Sequence, residues 1–374
     1  METVFYISAA CVVYTYLVYP AIIVAWGTLF PRRVQKRYQQ LPLTVVLAVR
    51  DEEINIKARI ENLRDQDYPA ELVEIIVVAD GCTDQTVELA QRHGDDRVKV
   101  LESPPVGKAG ALNLGVASAS SDIIVFADAR QRFSTNAFAE LVAMFNDEEV
   151  GAVSGELIIE PGVGSEVHEG VGLYWQYEKL IRRMESEVNS VVGATGSIYA
   201  IRRQLYKPLE EHALLDDFLV PMRIVLQGRR VIFVRSARAF DLSSVTAGQE
   251  FKRKVRTLAG NFQAVAMEKQ LVNPLRNPVF FQFVSHKLAR LAVPYFCIAA
   301  LVSSALAPGI WFKTAFALQA LFYVLGGLNL TPLRNAPPAK LFRVSWTFMV
   351  LNAAAVVGFW VFATGRARAV WKRG

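Results

Sequence analysis

Apolar segments long enough to cross a bilayer lie near both ends of this chain. Val4–Phe30 contains no charged residue, and it is longer than the roughly 20 residues that span a hydrocarbon core. Three further spans are predicted at Leu288–Ala307, Ile310–Leu330 and Val344–Thr364. A cleaved signal peptide is the alternative for the first segment, but Glu2 stands where a basic residue would be expected. The pattern predicts one N-terminal and about three C-terminal transmembrane helices.

Short apolar runs alternate with helical segments between residues 41 and 273. The predicted strands are Leu43–Val49, Glu74–Ala79, Val98–Leu101 and Asp122–Ala127. The predicted helices are Glu52–Gln66, Thr83–His93, Lys108–Ala117 and Asn136–Asn146. Continuous apolar runs are typical of strands buried on both faces of a parallel sheet. Their alternation with helices indicates a doubly wound α/β fold, whose ligands bind at the carboxyl ends of the strands.

The distribution of charge predicts how the chain is placed in the membrane. The first span is followed directly by Arg32, Arg33, Lys36 and Arg37. By the positive-inside bias this puts the central domain in the cytoplasm, at the cell membrane. Three C-terminal spans would then put the basic tail outside, a conflict that the sequence leaves open. The net charge of +6 fits basic residues that meet anionic membrane lipids, and nothing indicates nucleic acid.

The predicted organisation therefore has five parts. They are an N-terminal transmembrane anchor over 1–31, a cytoplasmic domain over 41–273, an interfacial helix over 274–290, a transmembrane region over 288–364 and a basic tail over 365–374.

Acidic residues follow three of the four predicted strands. They are Asp51, Glu52 and Glu53 after the first, Asp80 and Asp84 after the second, and Asp128 after the fourth. Each alone is also explained as a helix N-cap. Together in one crevice they would repel one another unless a cation or a donor-rich ligand were bound. A nucleotide base with a divalent ion is such a ligand, and Lys108, which follows a glycine at a helix start, is placed to meet a diphosphate.

Cysteine, histidine and glycine patterns argue against several other chemistries. Cys11, Cys82 and Cys297 have no metal-ligand spacing, and no disulfide is expected. The four histidines are scattered, so a zinc site or a histidine-based triad has no support. The glycines around Lys108 form neither a P-loop nor a dinucleotide fingerprint.

Seven short motifs follow one another along the chain: LAVRDEE, VVADGCTD, GKAGALN, FADAR, GATGSIYAIRR, LLDDFL and RKVRT. This ordered set resembles the family 2 inverting glycosyltransferases. It is most similar to the membrane-integrated branch that includes cellulose, chitin, hyaluronan and poly-N-acetylglucosamine synthases. The resemblance covers about residues 43–261. It implies a nucleotide-sugar (GT-A type) Rossmann-like domain, a UDP-sugar donor and either Mg²⁺ or Mn²⁺.

The resemblance also implies which residues bind the donor. Asp80 matches the aspartate that contacts the uracil, and Asp128 matches the first aspartate of the metal-binding D-x-D motif. Arg130 departs from that motif, because a guanidinium cannot ligate a metal although it can pair with a phosphate. The full donor-binding set is Asp51, Glu53, Asp80, Asp84, Lys108, Arg130 and Arg256, with Glu52 beside it and Asp128 on the metal.

On the acceptor side the resemblance makes Asp217 the catalytic base. An inverting displacement needs a carboxylate that takes the proton from the attacking hydroxyl. The alternative for Asp216 and Asp217 is that they merely start a helix over Asp217–Gln227. Further residues assigned to the acceptor side are Gly193, Gly196, Asp216 and Thr257. Thr257 stands where the processive synthases carry the tryptophan that supports the acceptor sugar.

Three functions stay open at this point. The first is a glycosyltransferase that adds sugar to a polysaccharide or a lipid-linked acceptor at the cytoplasmic membrane face. The second is a sugar nucleotidyltransferase, which would need a basic, glycine-rich triphosphate loop and no membrane spans. The third is a catalytically impaired component of a polysaccharide synthesis or export complex, indicated by Arg130 and Thr257. Retention of Asp80, Asp128 and Asp217 favours the first.

Overall fold

The computed structural model describes residues 1–161, 169–243, 247–332 and 339–365. Its strands are β1 Leu43–Val49, β2 Val73–Asp80, β3 Val98–Ser103, β4 Ile123–Ala127, β5 Arg132–Phe133, β6 Val150–Pro161, β7 Ile198–Arg202 and β8 Arg230–Ser243. They form one sheet in the order β3-β2-β1-β4-β7-β6-β8-β5. The first four pair in parallel, whereas β7 is antiparallel to both β4 and β6.

The four predicted strands are confirmed as β1 to β4, each to within two residues. β1, β2 and β4 are buried on both faces, as their continuous apolar runs require. β5 to β8 were not predicted from the sequence. They make the sheet mixed rather than purely parallel, because β7 lies antiparallel beside β4.

Helices cover both faces of this sheet. They are α3 Ile56–Arg64, α4 Thr86–His93, α5 Gly107–Ser118, α6 Ala137–Val142, α7 Glu169–Val188, α8 Asp216–Leu226 and α9 Ala247–Met267. One apolar core includes side chains of α5 and α8, and a second core on the other face includes side chains of α3 and α6. The central strands contribute to both cores, which fixes the position of their carboxyl ends.

Two helices begin later than the sequence predicts, for one local reason. α3 starts at Ile56 rather than Glu52, and α4 starts at Thr86 rather than Thr83. The amide of Glu52 donates to Thr86 Oγ1 at 2.8 Å. The residues before each helix therefore bind the neighbouring loop instead of continuing the helix.

Among the residues that the structure describes, four helical segments are long and apolar enough to cross a membrane. They are Glu2–Leu29, Phe280–Leu306, Ile310–Leu328 and Ala339–Ala363. This agrees with one N-terminal and three C-terminal spans. Within 274–290 the helix begins at Phe280 and continues to Leu306, and the interfacial placement of residues 274–290 stays a prediction. The predicted basic tail lies outside the described residues from position 366 onward.

Two of the four membrane segments contain a π-helical turn. In the first, Tyr14–Val18 joins α1 Glu2–Val13 to α2 Tyr19–Leu29. In the second, Phe283–Leu288 joins α10 Phe280–Gln282 to α11 Ala289–Leu306. The other two segments are α12 Ile310–Leu328 and α13 Ala339–Ala363.

The membrane helices pack directly on the central domain. A Cβ atom added at Gly27 of α2 would lie 3.0 Å from the carbonyl oxygen of Met184 in α7. A Cβ atom added at Gly358 of α13 would lie 3.0 Å from the amide nitrogen of Ala259 in α9. These close backbone approaches need glycine, and they place the sheet's domain against the membrane segments.

Candidate active site

The acidic residues after β1 and β2 tie two loops together. Asp51 has a positive φ of 50°, and its Oδ1 accepts bonds from the amide of Thr83 at 2.7 Å and from its hydroxyl at 3.2 Å. The amide of Glu53 donates to Asp84 Oδ2 at 3.1 Å, and the amide of Gln85 donates to Glu53 Oε2 at 3.1 Å. These bonds join two loops, and neither α3 nor α4 has a side-chain cap on its N-cap residue, so the helix-capping alternative does not describe them. A role in binding a nucleoside stays a prediction.

Asp80 lies beneath the start of α5. It is 3% exposed, and its Oδ1 accepts bonds from the amides of Val106 at 2.7 Å and Gly107 at 3.0 Å. A carboxylate at this position satisfies amide groups that have no partner within the helix. Asp80 thereby fixes the first turn of α5, which carries Lys108. Its contact with a nucleotide base is not tested by these bonds and stays a prediction.

Lys108 is the centre of the charged group at the carboxyl ends of the strands. Its Nζ lies 3.0 Å from Asp128 Oδ1, at the end of β4, and 3.3 Å from Asp216 Oδ1, at the start of α8. Burial acts to lower the pKa of Lys108, but Asp128, Asp216 and Asp217 outweigh it and raise the pKa. One ammonium thus lies among three carboxylates that come from two distant parts of the chain, Asp128 and the pair Asp216 and Asp217.

Asp217 is half-buried beside this group, and its carboxyl has a raised pKa. Burial raises the pKa of its carboxyl to about 6, Asp216 adds to the increase, and Lys108 opposes it. A carboxylate with a pKa near neutrality is suited to general-base catalysis. Although α8 does begin at Asp216, the start of a helix alone does not explain this environment.

The loop over Gly193–Ser197 closes over Asp217. Gly193 has a φ of 93°, and the amide of Ala194 donates to the carbonyl oxygen of Asp217 at 2.7 Å. A Cβ atom added at Gly196 would lie 2.8 Å from Asp217 Oδ2. Gly196 therefore provides space for the Asp217 carboxylate, whereas a Cβ atom added at Gly193 would lie 3.3 Å from the Phe218 ring.

We expect Gly196→Ala to lower kcat about tenfold with little change in the thermal midpoint, since the new methyl group turns the Asp217 carboxylate away from its place. The measurement is kcat alongside thermal unfolding, with Gly327→Ala as the matched control because a Cβ atom there meets nothing within 4 Å. An unchanged kcat in Gly196→Ala would show that the orientation of Asp217 is unimportant.

The remaining predicted residues lie at the edges of this arrangement. Arg130 has a side chain that is 73% exposed, and its Nε lies 4.0 Å from Glu52 Oε1. Arg256 and Thr257 are both on α9, where the Thr257 hydroxyl donates to the carbonyl oxygen of Arg253 at 3.0 Å. The structure brings Lys108, Asp128, Asp216, Asp217 and Gly196 together.

Sequence reasoning missed Arg59, which is 2% exposed in α3. Its guanidinium stacks 4.1 Å from the Phe133 ring centroid, and its Nη1 donates to Asn62 at 2.8 Å. Its Nε and Nη2 have no hydrogen-bond partner among the described residues. Burial lowers its pKa to about 9, and Asp128 opposes that shift. The sequence does carry one signal for a buried Arg59, because it lies on the helix face that otherwise holds Ile56, Ile60 and Leu63.

A divalent cation fits the site with Asp128 as its protein ligand. Asp128 Oδ1 pairs with Lys108, and no bond to Oδ2 is found among the described residues. Mg²⁺ is commonly bound by one or two carboxylates, with substrate phosphates and water as the other ligands. Among the described residues, one group of three potential metal ligands is found, namely Asp51, Cys82 and Asp84. Their ligand atoms lie within 4.8 Å of one another. The thiol makes that group a poorer match for a hard cation.

Comparison with known proteins agrees with this geometry. Residues 44–209 match the model of the family described as Glycosyl transferase family 2. The chain carries a family 2 glycosyltransferase domain. The match covers β1 to β7, and with them Lys108, Asp128 and the loop over Gly193–Ser197. The predicted resemblance to this family is confirmed.

Curated relatives are similar over part of their length. The chain is 25% identical over 279 residues to "Probable glycosyltransferase YdaM" of Bacillus subtilis (strain 168), covering 70% of this chain and 66% of that protein. It is 25% identical over 229 residues to the poly-beta-1,6-N-acetyl-D-glucosamine synthase of Staphylococcus aureus (strain COL), covering 60% of this chain and 55% of that protein. The aligned segments thus span less than two thirds of either relative.

A solved structure is similar over nearly the whole chain. The mannosyltransferase PcManGT from Pyrobaculum calidifontis has a TM-score of 0.76, at 20% identity, covering 97% of this chain and 98% of that one. The likeness shows the fold. The predicted GT-A type domain with membrane helices at both ends is therefore confirmed.

Proposed function

We propose that this protein is an inverting glycosyltransferase that moves a sugar from a nucleotide-sugar donor to a glycan or lipid-linked acceptor at the membrane. The observation that carries the proposal is Asp217, a carboxylate of raised pKa in the charged group formed by Lys108, Asp128 and Asp216. Lys108 and Asp128 lie within the family 2 match, which ends at residue 209. The proposal includes no partner subunit.

Asp217 takes the proton of the acceptor hydroxyl in the proposed step. The acceptor oxygen forms a bond to the anomeric carbon as the bond from that carbon to the diphosphate oxygen breaks. The nucleoside diphosphate leaves with the electron pair, and the proton stays on Asp217. Lys108 keeps Asp217 ionised before the step, because its positive charge lowers the pKa of that carboxyl.

The donor's nucleoside is contacted by the two linked loops in this proposal. Asp51, Glu53, Asp80 and Asp84 lie at the carboxyl ends of β1 and β2, where ligands of such sheets bind. The family resemblance favours a UDP-sugar. The structurally similar PcManGT was solved with GDP-Man, so both nucleosides belong in the first test.

The domain is placed in the cytoplasm in this proposal, in a multi-pass protein of the cell membrane. Basic residues after the first span support that orientation. Arg32 pairs with Glu149 at 2.7 Å, and Lys36 with Glu140 at 2.7 Å, so these basic residues also fasten the anchor to the domain.

Mg²⁺ or Mn²⁺ at Asp128 would neutralise charge on the leaving diphosphate. We expect EDTA to lower kcat/KM about tenfold rather than to abolish it, because Lys108 and Arg130 supply positive charge where a second metal-binding carboxylate is missing. The measurement is nucleotide release with and without EDTA, and Asp128→Asn should lose the sensitivity. Complete loss in EDTA with rescue by Mn²⁺ would show that other groups complete the metal site.

The test of the proposed function is nucleoside diphosphate release from the detergent-purified protein across a panel of UDP- and GDP-sugars, with lipid extract as the acceptor. We expect release from one donor. An inactive panel would favour the alternative, a catalytically impaired component of a polysaccharide synthesis or export complex. Arg130 and Thr257 are the residues that support that alternative.

A further inference from the structure

A buried group of charges joins the domain to the membrane segment that contains α11. His286 is 1% exposed, and its two ring nitrogens lie 2.7 Å from Glu185 Oε1 and 2.7 Å from Glu178 Oε1. Arg290 Nη1 donates to Glu178 Oε2 at 2.5 Å, and the Tyr19 hydroxyl donates to Glu185 at 2.5 Å. The group connects α7 with both membrane segments that contain a π-helical turn.

Glu178 has a partner on each of its carboxylate oxygens, His286 on Oε1 and Arg290 on Oε2. Burial acts to raise the pKa of Glu178, but Arg290 and His286 hold it well below its usual range. Glu178 and Arg290 therefore form an ion pair within this group.

Two further cations next to this group are left without a carboxylate partner. Arg182 donates to Thr195 Oγ1 at 3.0 Å and to Ser154 Oγ at 3.0 Å, and neither acceptor carries a charge. Lys287, directly after His286, makes no ion pair or hydrogen bond among the described residues. Neither cation has a carboxylate oxygen within 4.0 Å among the described residues, so each can bind an anion.

These two cations lie near Asp217. Arg182 donates to the loop that packs over Asp217. Lys287 comes four residues after Phe283, whose ring centroid lies 6.1 Å from that of Phe218, the neighbour of Asp217. The Lys287 ammonium also acts to lower the pKa of Asp217. An anion bound by Lys287 and Arg182 would therefore lie near Asp217.

We propose that the acceptor carries a phosphate, which binds at Lys287 and Arg182 while an acceptor hydroxyl reaches Asp217. The inference rests on the proposed function and names its acceptor class. No bond to phosphorus changes, because the hydroxyl proton passes to Asp217 and the phosphate only positions the acceptor. Since Lys287 belongs to a membrane segment, the phosphate source that the structure favours is a lipid headgroup.

Binding can be tested without turnover. The full-length protein in neutral detergent is heated with phosphatidylglycerol, with diacylglycerol or with glycerol 3-phosphate, and the shift in thermal midpoint is recorded. The variant is Lys287→Gln, and Lys287→Arg keeps the charge. Lys313→Gln is the matched control, because Lys313 lies in α12 and donates to the carbonyl oxygen of Ala305 at 2.5 Å.

We expect phosphatidylglycerol to stabilise the wild type, Lys287→Arg and Lys313→Gln, and Lys287→Gln to lose that shift. In nucleotide release, Lys287→Gln should raise KM for phosphatidylglycerol about tenfold with kcat nearly unchanged. Stabilisation by glycerol 3-phosphate alone would assign a soluble phosphate source instead of a lipid.

Equal shifts in the wild type and Lys287→Gln, or equal shifts with diacylglycerol and phosphatidylglycerol, would overturn the phosphate site. A protein that is stabilised as expected but releases no nucleotide would contradict the proposed function and leave the binding site established. The two failures are therefore distinguishable.

Discussion

Asp217→Asn is expected to lower kcat by about 10²- to 10⁴-fold, the range that general-base catalysis contributes. The amide has nearly the shape of the carboxylate but cannot take the acceptor proton. The donor should bind the variant with an unchanged Kd, because Asp217 lies on the acceptor side beside Gly196. The measurements are nucleotide release under saturating donor and donor Kd by calorimetry.

Asp96→Asn is the matched control for this result. Asp96 is exposed and lies in the loop before β3, at the opposite edge of the sheet from the carboxyl ends of the strands. It should keep wild-type kcat. Turnover by Asp217→Asn within a factor of two of the wild type would remove Asp217 from the mechanism, whatever its pKa.

Lys108→Met is expected to reduce activity at pH 7 by about 10- to 100-fold and to shift its pH dependence. Lys108 lowers the pKa of Asp217, so the pKa rises further above about 6 when the ammonium is lost. The base is then protonated over a wider range, and the acid limb of kcat/KM should move upward by about one pH unit or more. The measurement is kcat/KM from pH 5 to 9.

Lys99→Met is the matched control, since Lys99 pairs with Glu74 at 2.5 Å on β3, outside the group around Asp217. Both variants lose one ion-paired lysine, but only Lys108→Met should move the acid limb. A limb that stays in place in Lys108→Met would show that Lys108 does not control the ionisation of Asp217.

The sequence was informative wherever local pattern decides structure. Continuous apolar runs predicted β1 to β4, and long stretches without charged residues predicted the membrane segments. Both features can be read from residues that are neighbours in the sequence. The boundaries of α3 and α4 were wrong because Glu52 bonds to Thr86, a contact between two loops. A residue that delays the start of a helix by bonding to a distant loop has no sequence signature in its own segment.

The site was predicted as a set of residues but not as an arrangement. Motif order named Lys108, Asp128 and Asp217, yet nothing in the sequence says that one ammonium balances Asp128 and Asp216. The same limit applies to His286, whose partners are 101 and 108 positions away. Charge balance in a buried group is set by tertiary packing, and only the fold shows it.

The pH dependence of kcat/KM in the wild type tests the central claim most directly. Asp217 must be ionised to accept the proton, and its pKa is about 6, so activity is full above that value and falls as the pH drops through it. Donor Kd measured over the same range separates this from titration of the diphosphate. We predict an acid limb with a midpoint of about 6 that is absent from donor binding. A profile that stays flat down to pH 4.5 would contradict a general base of raised pKa at Asp217.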